Sequence, residues 1–151
     1  MKKFKFSLES LLSYKTHLEH IAKQETAVAR AAVNKCRNRI ETCRNNITET
    51  QIKLIKETEE GIPMERYKIH TDFLDGSERE IEYLFGELIK LNEVLQKKQE
   101  ILKQKSIEKK TIENLKEKKK KEYYLAMEKE IQKQTDDMII VKKSRELGSF
   151  T

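Results

Sequence analysis

VNKCRNRIETCRNNITETQIKL, residues 33–54, decides how this chain folds. Its apolar and small residues fall at Val33, Cys36, Ile40, Cys43, Ile47, Thr50 and Leu54, three and four residues apart in strict alternation. In a helix of 3.6 residues per turn that spacing draws one narrow stripe along the surface, the seam of a coiled coil. The intervening Arg, Asn, Glu and Lys side chains face water, so the stripe needs a second helix to cover it.

Toward the N-terminus the alternation continues as Leu11, Tyr14, Leu18, Ile21, Glu25 and Val28, displaced by about one position, with Ala27, Ala29, Ala31 and Ala32 at the crossover. A phase shift of this kind predicts a stutter, where the supercoil locally unwinds. No breaker interrupts the run, and the first helix is predicted over about 7–59. Glu59-Glu60-Gly61-Ile62-Pro63 is then the strongest punctuation in the chain. Gly suits a helix C-terminal cap and Pro the first turn of the next helix, so the reversal is placed at about 60–63.

Beyond it a second seam runs through Met64, Tyr67, His70/Thr71, Leu74, Ile81, Leu84, Leu88, Leu91, Leu95 and Leu102. It thins to Ile107, Ile112 and Leu115 in a Lys/Glu field and recovers as Tyr124, Met127, Ile131, Met138 and Val141. The second helix is predicted over about 64–145, with Asp75-Gly76-Ser77 as a place where it can bend or break. The fold expected is all-α, a single domain over 1–151. Two long helices form an antiparallel coiled-coil hairpin that packs best at its two ends, with Leu8/Leu11/Leu12 against Met138–Val141. A helix of about 50 residues implies a rod on the order of 75 Å long.

Composition agrees with a fold of this kind. One Pro, four Gly, 38% charged and 36% hydrophobic residues are too polar a mixture for a thick layered core. Residues 1–44 hold 10 Lys+Arg against 4 Asp+Glu, residues 45–86 hold 5 against 10, and residues 87–151 hold 17 against 12. A reversal near the middle therefore gathers two basic ends and opposes them to an acidic turn. No apolar stretch approaches membrane-spanning length and no signal-like leader is legible, which reads as cytosolic. Cys36 and Cys43 lie seven residues apart on one helical face, about 10 Å apart along the axis, too far for a mutual disulfide. They read as small packed hydrophobes.

The patterns that carry chemistry are missing. Nothing matches a phosphate-binding G-x-x-x-x-G-K-[ST] loop. His17 and His20 have no partners at metal-ligand spacing and His70 is remote, so no metal or other cofactor is expected. Carboxylates on a solvated helix lack the shielding that separates the pKa values of an acid and a base. No enzyme activity is expected. Lys116-Glu117-Lys118-Lys119-Lys120-Lys121 reads as a solvated helix face, partly neutralised by Glu113, Glu117 and Glu122, rather than as a nucleic-acid contact.

Phe4-Lys5-Phe6-Ser7-Leu8-Glu9-Ser10-Leu11-Leu12, followed by Tyr14-Lys15, resembles the opening of the FliJ family of flagellar proteins. Gly61-Ile62-Pro63 with Arg66-Tyr67 and Phe73-Leu74 is similar to that family's turn. Leu115-Lys116 through Tyr123-Tyr124, then Glu128, Gln132, Asp136-Asp137 and Lys142 to Arg145, is similar to its closing segment. The resemblance implies a cytoplasmic coiled coil of the type III protein export apparatus, similar to the central stalk of rotary ATPases. It implies peripheral association with the inner-membrane apparatus through three kinds of partner: a FliI-like hexameric export ATPase, an FlhA-like export gate and export chaperones. The end carrying both termini would engage the ATPase, with Phe4, Phe6, Leu8, Lys142, Lys143 and Arg145 as candidate contacts. At the turn end Tyr67, Phe73 and Leu74 are candidates for the gate. An injectisome-type secretion stalk and a structural coiled-coil adaptor are the alternatives.

Overall fold

The computed structural model describes residues 2–149, and two helices account for nearly all of them: α1, Glu9–Glu60, and α2, Met64–Gly148. The helices pack against each other as an antiparallel hairpin, and the described residues contain no strand. The reversal takes three residues. Gly61 adopts φ of +85°, a left-handed conformation that costs a residue with a Cβ but not glycine. Its N–H donates to the Thr58 carbonyl at 3.3 Å, and the Pro63 carbonyl accepts from the Arg66 and Tyr67 amides at 3.1 and 3.2 Å, starting α2.

Burial along α1 follows one phase from end to end. The most continuous line of shielded positions is Leu12, Lys15, Glu19, Ala22, Thr26, Ala29, Val33, Cys36, Ile40, Cys43, Ile47, Thr50, Leu54 and Glu57, spaced three and four, with Leu11, Leu18 and Ala32 half-buried beside it. The stutter expected upstream of Val33 is therefore absent. Tyr14 and Val28, assigned to the seam by size, are 56% and 71% exposed. Small residues fill the seam instead, because Ala22, Thr26 and Ala29 let the two backbones approach. Thr26 Oγ1 donates to its own Ala22 carbonyl at 2.7 Å and reaches the Lys98 carbonyl of α2 at 3.3 Å. Cys36 Sγ likewise donates to the Leu84 carbonyl at 3.4 Å.

On α2 the matching seam is Leu74, Ser77, Ile81, Leu84, Leu88, Leu91, Leu95, Lys98, Leu102, Lys105, Lys109, Ile112 and Lys116. Met64 and Tyr67, placed in the seam by their spacing, are exposed. The helix runs unbroken through Asp75-Gly76-Ser77, where Ser77 is buried.

The chain divides into two compact units: a terminal unit, Met1–Leu18 with Ser106–Thr151, and a turn unit, Glu19–Lys105. The turn unit holds the apolar core, Cys36, Ile40 and Leu84, with Cys43, Leu88 and Leu91 packed on it. This core lies well inside α1, not at an end as the thinning of the sequence pattern suggested. The terminal unit has no fully buried apolar cluster among its described residues; half-buried Leu12 and Ile112 share its seam with polar pairs, Lys15–Glu108 and Lys116–Glu9, each at 2.9 Å. Met138–Val141 are exposed, so the predicted packing of that cluster on Leu8/Leu11/Leu12 does not form.

Candidate partner-binding surfaces

Two equal-pitch helices reversed at residues 61–63 bring the start of α1 opposite Lys116 to Tyr123. Here Phe4 is half-buried, its ring centroid 5.6 Å from that of Tyr123 at an interplanar angle of 50°. Tyr123 also meets Tyr124 edge-on at 5.6 Å, and its hydroxyl donates to the Lys2 carbonyl. Lys2, Lys3, Phe4, Lys120, Tyr123 and Met127 line one shallow depression, basic at its edge and aromatic at its floor. Phe6 is half-buried and Leu8 lies at the surface. Of the basic run, Lys116 is paired with Glu9 and Lys119 with Glu122 at 3.5 Å.

Past Tyr123 α2 continues without α1 beside it. Met138, Ile139, Ile140 and Val141 are exposed there, as are Lys142, Lys143 and Arg145. Lys142 stands about 19 residues beyond Tyr123, roughly 28 Å along the helix axis. The structure thus separates the six terminal candidates into two patches, an aromatic one at Phe4/Phe6/Leu8 and a basic one at Lys142/Lys143/Arg145. Tyr123 and Lys120 belong to the first patch and were not singled out from sequence. Aligning the helices residue for residue from the reversal would have placed them there.

In the turn unit Tyr67 and Phe73 are each close to half exposed, while Leu74 occupies a half-buried seam position. Six residues of helix rotate Phe73 about 240° from Tyr67, so the two rings face different sides. Tyr67 borders a shallow depression with Thr58, Gly61, Ile62 and Met64. Beside it the Glu57 carboxylate accepts from the His70 ring Nε2 at 2.9 Å and the Arg66 guanidinium at 3.0 Å. The His70 hydrogen bond holds the Glu57 carboxyl below its ordinary 4.5; partial desolvation opposes this and the Arg66 charge assists.

Cys36 is buried and Cys43 half-buried, and both are free thiols. Burial, together with the Glu80 carboxylate, pushes the Cys43 thiol up, which disfavours the reactive thiolate. Among the described residues no three His, Cys, Asp or Glu side chains converge to hold a metal, and no helix is long and apolar enough to cross a membrane.

Residues 4–147 match the family described as "Flagellar FliJ protein". The chain belongs to the FliJ family. No curated protein and no solved structure matches it. Family membership over almost the whole length makes it a flagellar export-related coiled-coil protein, in a family whose members are non-enzymatic export components.

Proposed function

We propose that the chain acts as a central-stalk-like component of the flagellar type III export apparatus, without catalytic activity of its own. Its terminal unit engages a FliI-like export ATPase hexamer. Its turn unit contacts an FlhA-like export gate, and export chaperones are further partners. Such partners would hold it peripherally at the inner membrane. The observation that carries this reading is the stretch of α2 past Tyr123. It is a helix whose apolar residues Met138–Val141 and basic residues Lys142, Lys143 and Arg145 have no cover from α1, on a chain matching the family from residue 4 to 147.

Buried anchors dominate affinity while rim charges set association rate and salt dependence. Reversing Lys142, Lys143 and Arg145 to Glu is therefore expected to weaken ATPase binding most at low salt. Tyr67→Ala with Phe73→Ala is expected to weaken gate binding and spare the ATPase. Binding of each purified partner to each variant decides the matter. Loss of ATPase binding with gate binding retained in the turn variant, while still helical by circular dichroism, would refute the assignment of ends.

A further inference from the structure

Within the turn unit, four of the exposed large apolar residues that lie off the seam fall into register. Ile21 and Val28 on α1 are 37% and 71% exposed, and Val94 and Ile101 on α2 are 46% and 44% exposed. Each pair is seven residues apart, so each keeps one face of its helix. Val28 and Val94 line the same groove, floored by Ala29 and Leu91 and bordered by Ala32. In an antiparallel pair, stepping back seven residues from Val28 and forward seven from Val94 brings Ile21 opposite Ile101. The two helices thus present a second heptad-spaced apolar track on one side of their own seam. Such a track is the footprint of a third helix.

The charges around the groove select its occupant. Lys98 bridges to Glu25 at 3.0 Å across the groove and closes that pair. Lys90 and Lys97, again seven apart, edge the α2 wall, and Lys35 stands beyond Ala32 on α1. The Lys90 ammonium is 3.7 Å from Glu87, on a side chain 76% exposed, and Lys97 and Lys35 have no ion-pair partner among the described residues. The α1 edge beside Val28 carries Gln24 and Ala31, with no unpaired carboxylate. A second copy of this chain docking through the same face would set lysines against lysines, since a two-fold contact pairs a patch with itself.

We infer that this groove docks an amphipathic helix of a different protein, one with apolar residues at heptad spacing and carboxylates along the edge that meets Lys90 and Lys97. The groove lies at neither end of α1, so this inference stands apart from the ATPase and gate contacts proposed above.

The test uses the full chain and two synthetic 21-residue helical peptides with identical Leu heptads, one with Glu and one with Lys at the flanking positions. Binding is followed by fluorescence anisotropy. The Glu-flanked peptide is expected to bind at least tenfold tighter than the Lys-flanked one. Val28→Glu with Val94→Glu should abolish the difference by removing binding, and Lys90→Glu with Lys97→Glu should invert the preference. All four positions are exposed or on the rim, and circular dichroism confirms that each variant remains helical. Equal binding of the two peptides, or binding unchanged in the Val28/Val94 variant, overturns the proposal. So does concentration-dependent dimerisation of the wild type, seen by sedimentation and abolished by Val28→Glu, because the occupant is then a second copy.

Discussion

Cys36 and Lys15 stand in the same column of α1, three heptads apart, and Leu88 and Lys116 share a column of α2, four heptads apart. In the turn unit these columns are filled by the apolar cluster around Ile40 and Leu84. In the terminal unit they are filled by lysines that reach carboxylates, Lys15 to Glu108 and Lys116 to Glu9. The period of the helices is the same in both, so the backbone does not distinguish them. What differs is the origin of the free energy. Buried carbon contributes through lost contact with water, whereas half-exposed ion pairs gain little beyond their desolvation and ordering costs.

The sharpest way to break this contrast is to hollow the apolar unit. Leu84→Ala removes a side chain only 2% exposed and is expected to lower the unfolding free energy by about 2–5 kcal/mol, read from urea denaturation at 222 nm. A loss under about 1 kcal/mol would show that the cluster is not the main source of stability. The equivalent test in the terminal unit is Lys15→Met, which removes the charge and keeps the apolar stem. Its expected cost is below about 1 kcal/mol, smaller still in high salt. A larger, salt-independent loss would mean that the polar seam is as strong as the apolar one.

The Glu57–His70–Arg66 cluster sharpens the comparison by placing an ionic device inside the apolar unit. The folded carboxyl sits below its ordinary 4.5, so its contribution is complete above that value and disappears as pH falls through the folded value. Wild type is therefore expected to exceed Glu57→Gln in stability at pH 6 to 7, and to lose that margin progressively below pH 4.5. Parallel pH profiles for the two proteins would remove Glu57 from the account. The smallest effect belongs to the helix past Tyr123. Met138→Ala, at a position 72% exposed, should change stability by no more than about 0.5 kcal/mol.

The reversal was legible because Gly61 and Pro63 act through the backbone, which local sequence specifies directly. Most of the α2 seam from Leu74 to Leu102 is legible because large apolar residues fill it, while Ser77 and Lys98, which are small or charged, are not. Upstream of Val33 the seam departs from the spacing of the bulkiest residues. Ile21 and Val28 draw the seam to themselves by bulk, which puts Ala29 in a crossover and leaves Ala22 and Thr26 off the seam altogether. Close approach of two helices rewards small residues, and a ranking by hydrophobicity cannot register that reward. The terminal pairing failed differently. Met138–Val141 has the right spacing, but α1 begins at Glu9 and the described residues before it meet α2 no farther along than Met127. Which apolar stripe is covered depends on the relative lengths of the two helices, a property of the whole chain.

That excess length has a kinetic consequence. A single helix of about 25 residues without a packed face is only marginally favoured over coil in water, so its amide hydrogens should exchange far sooner than those around Leu84. Any protein that grips Met138–Val141 must hold this segment against its own tendency to melt, and part of the contact energy goes into ordering it. A grip of that kind can cover a large surface and still let go quickly.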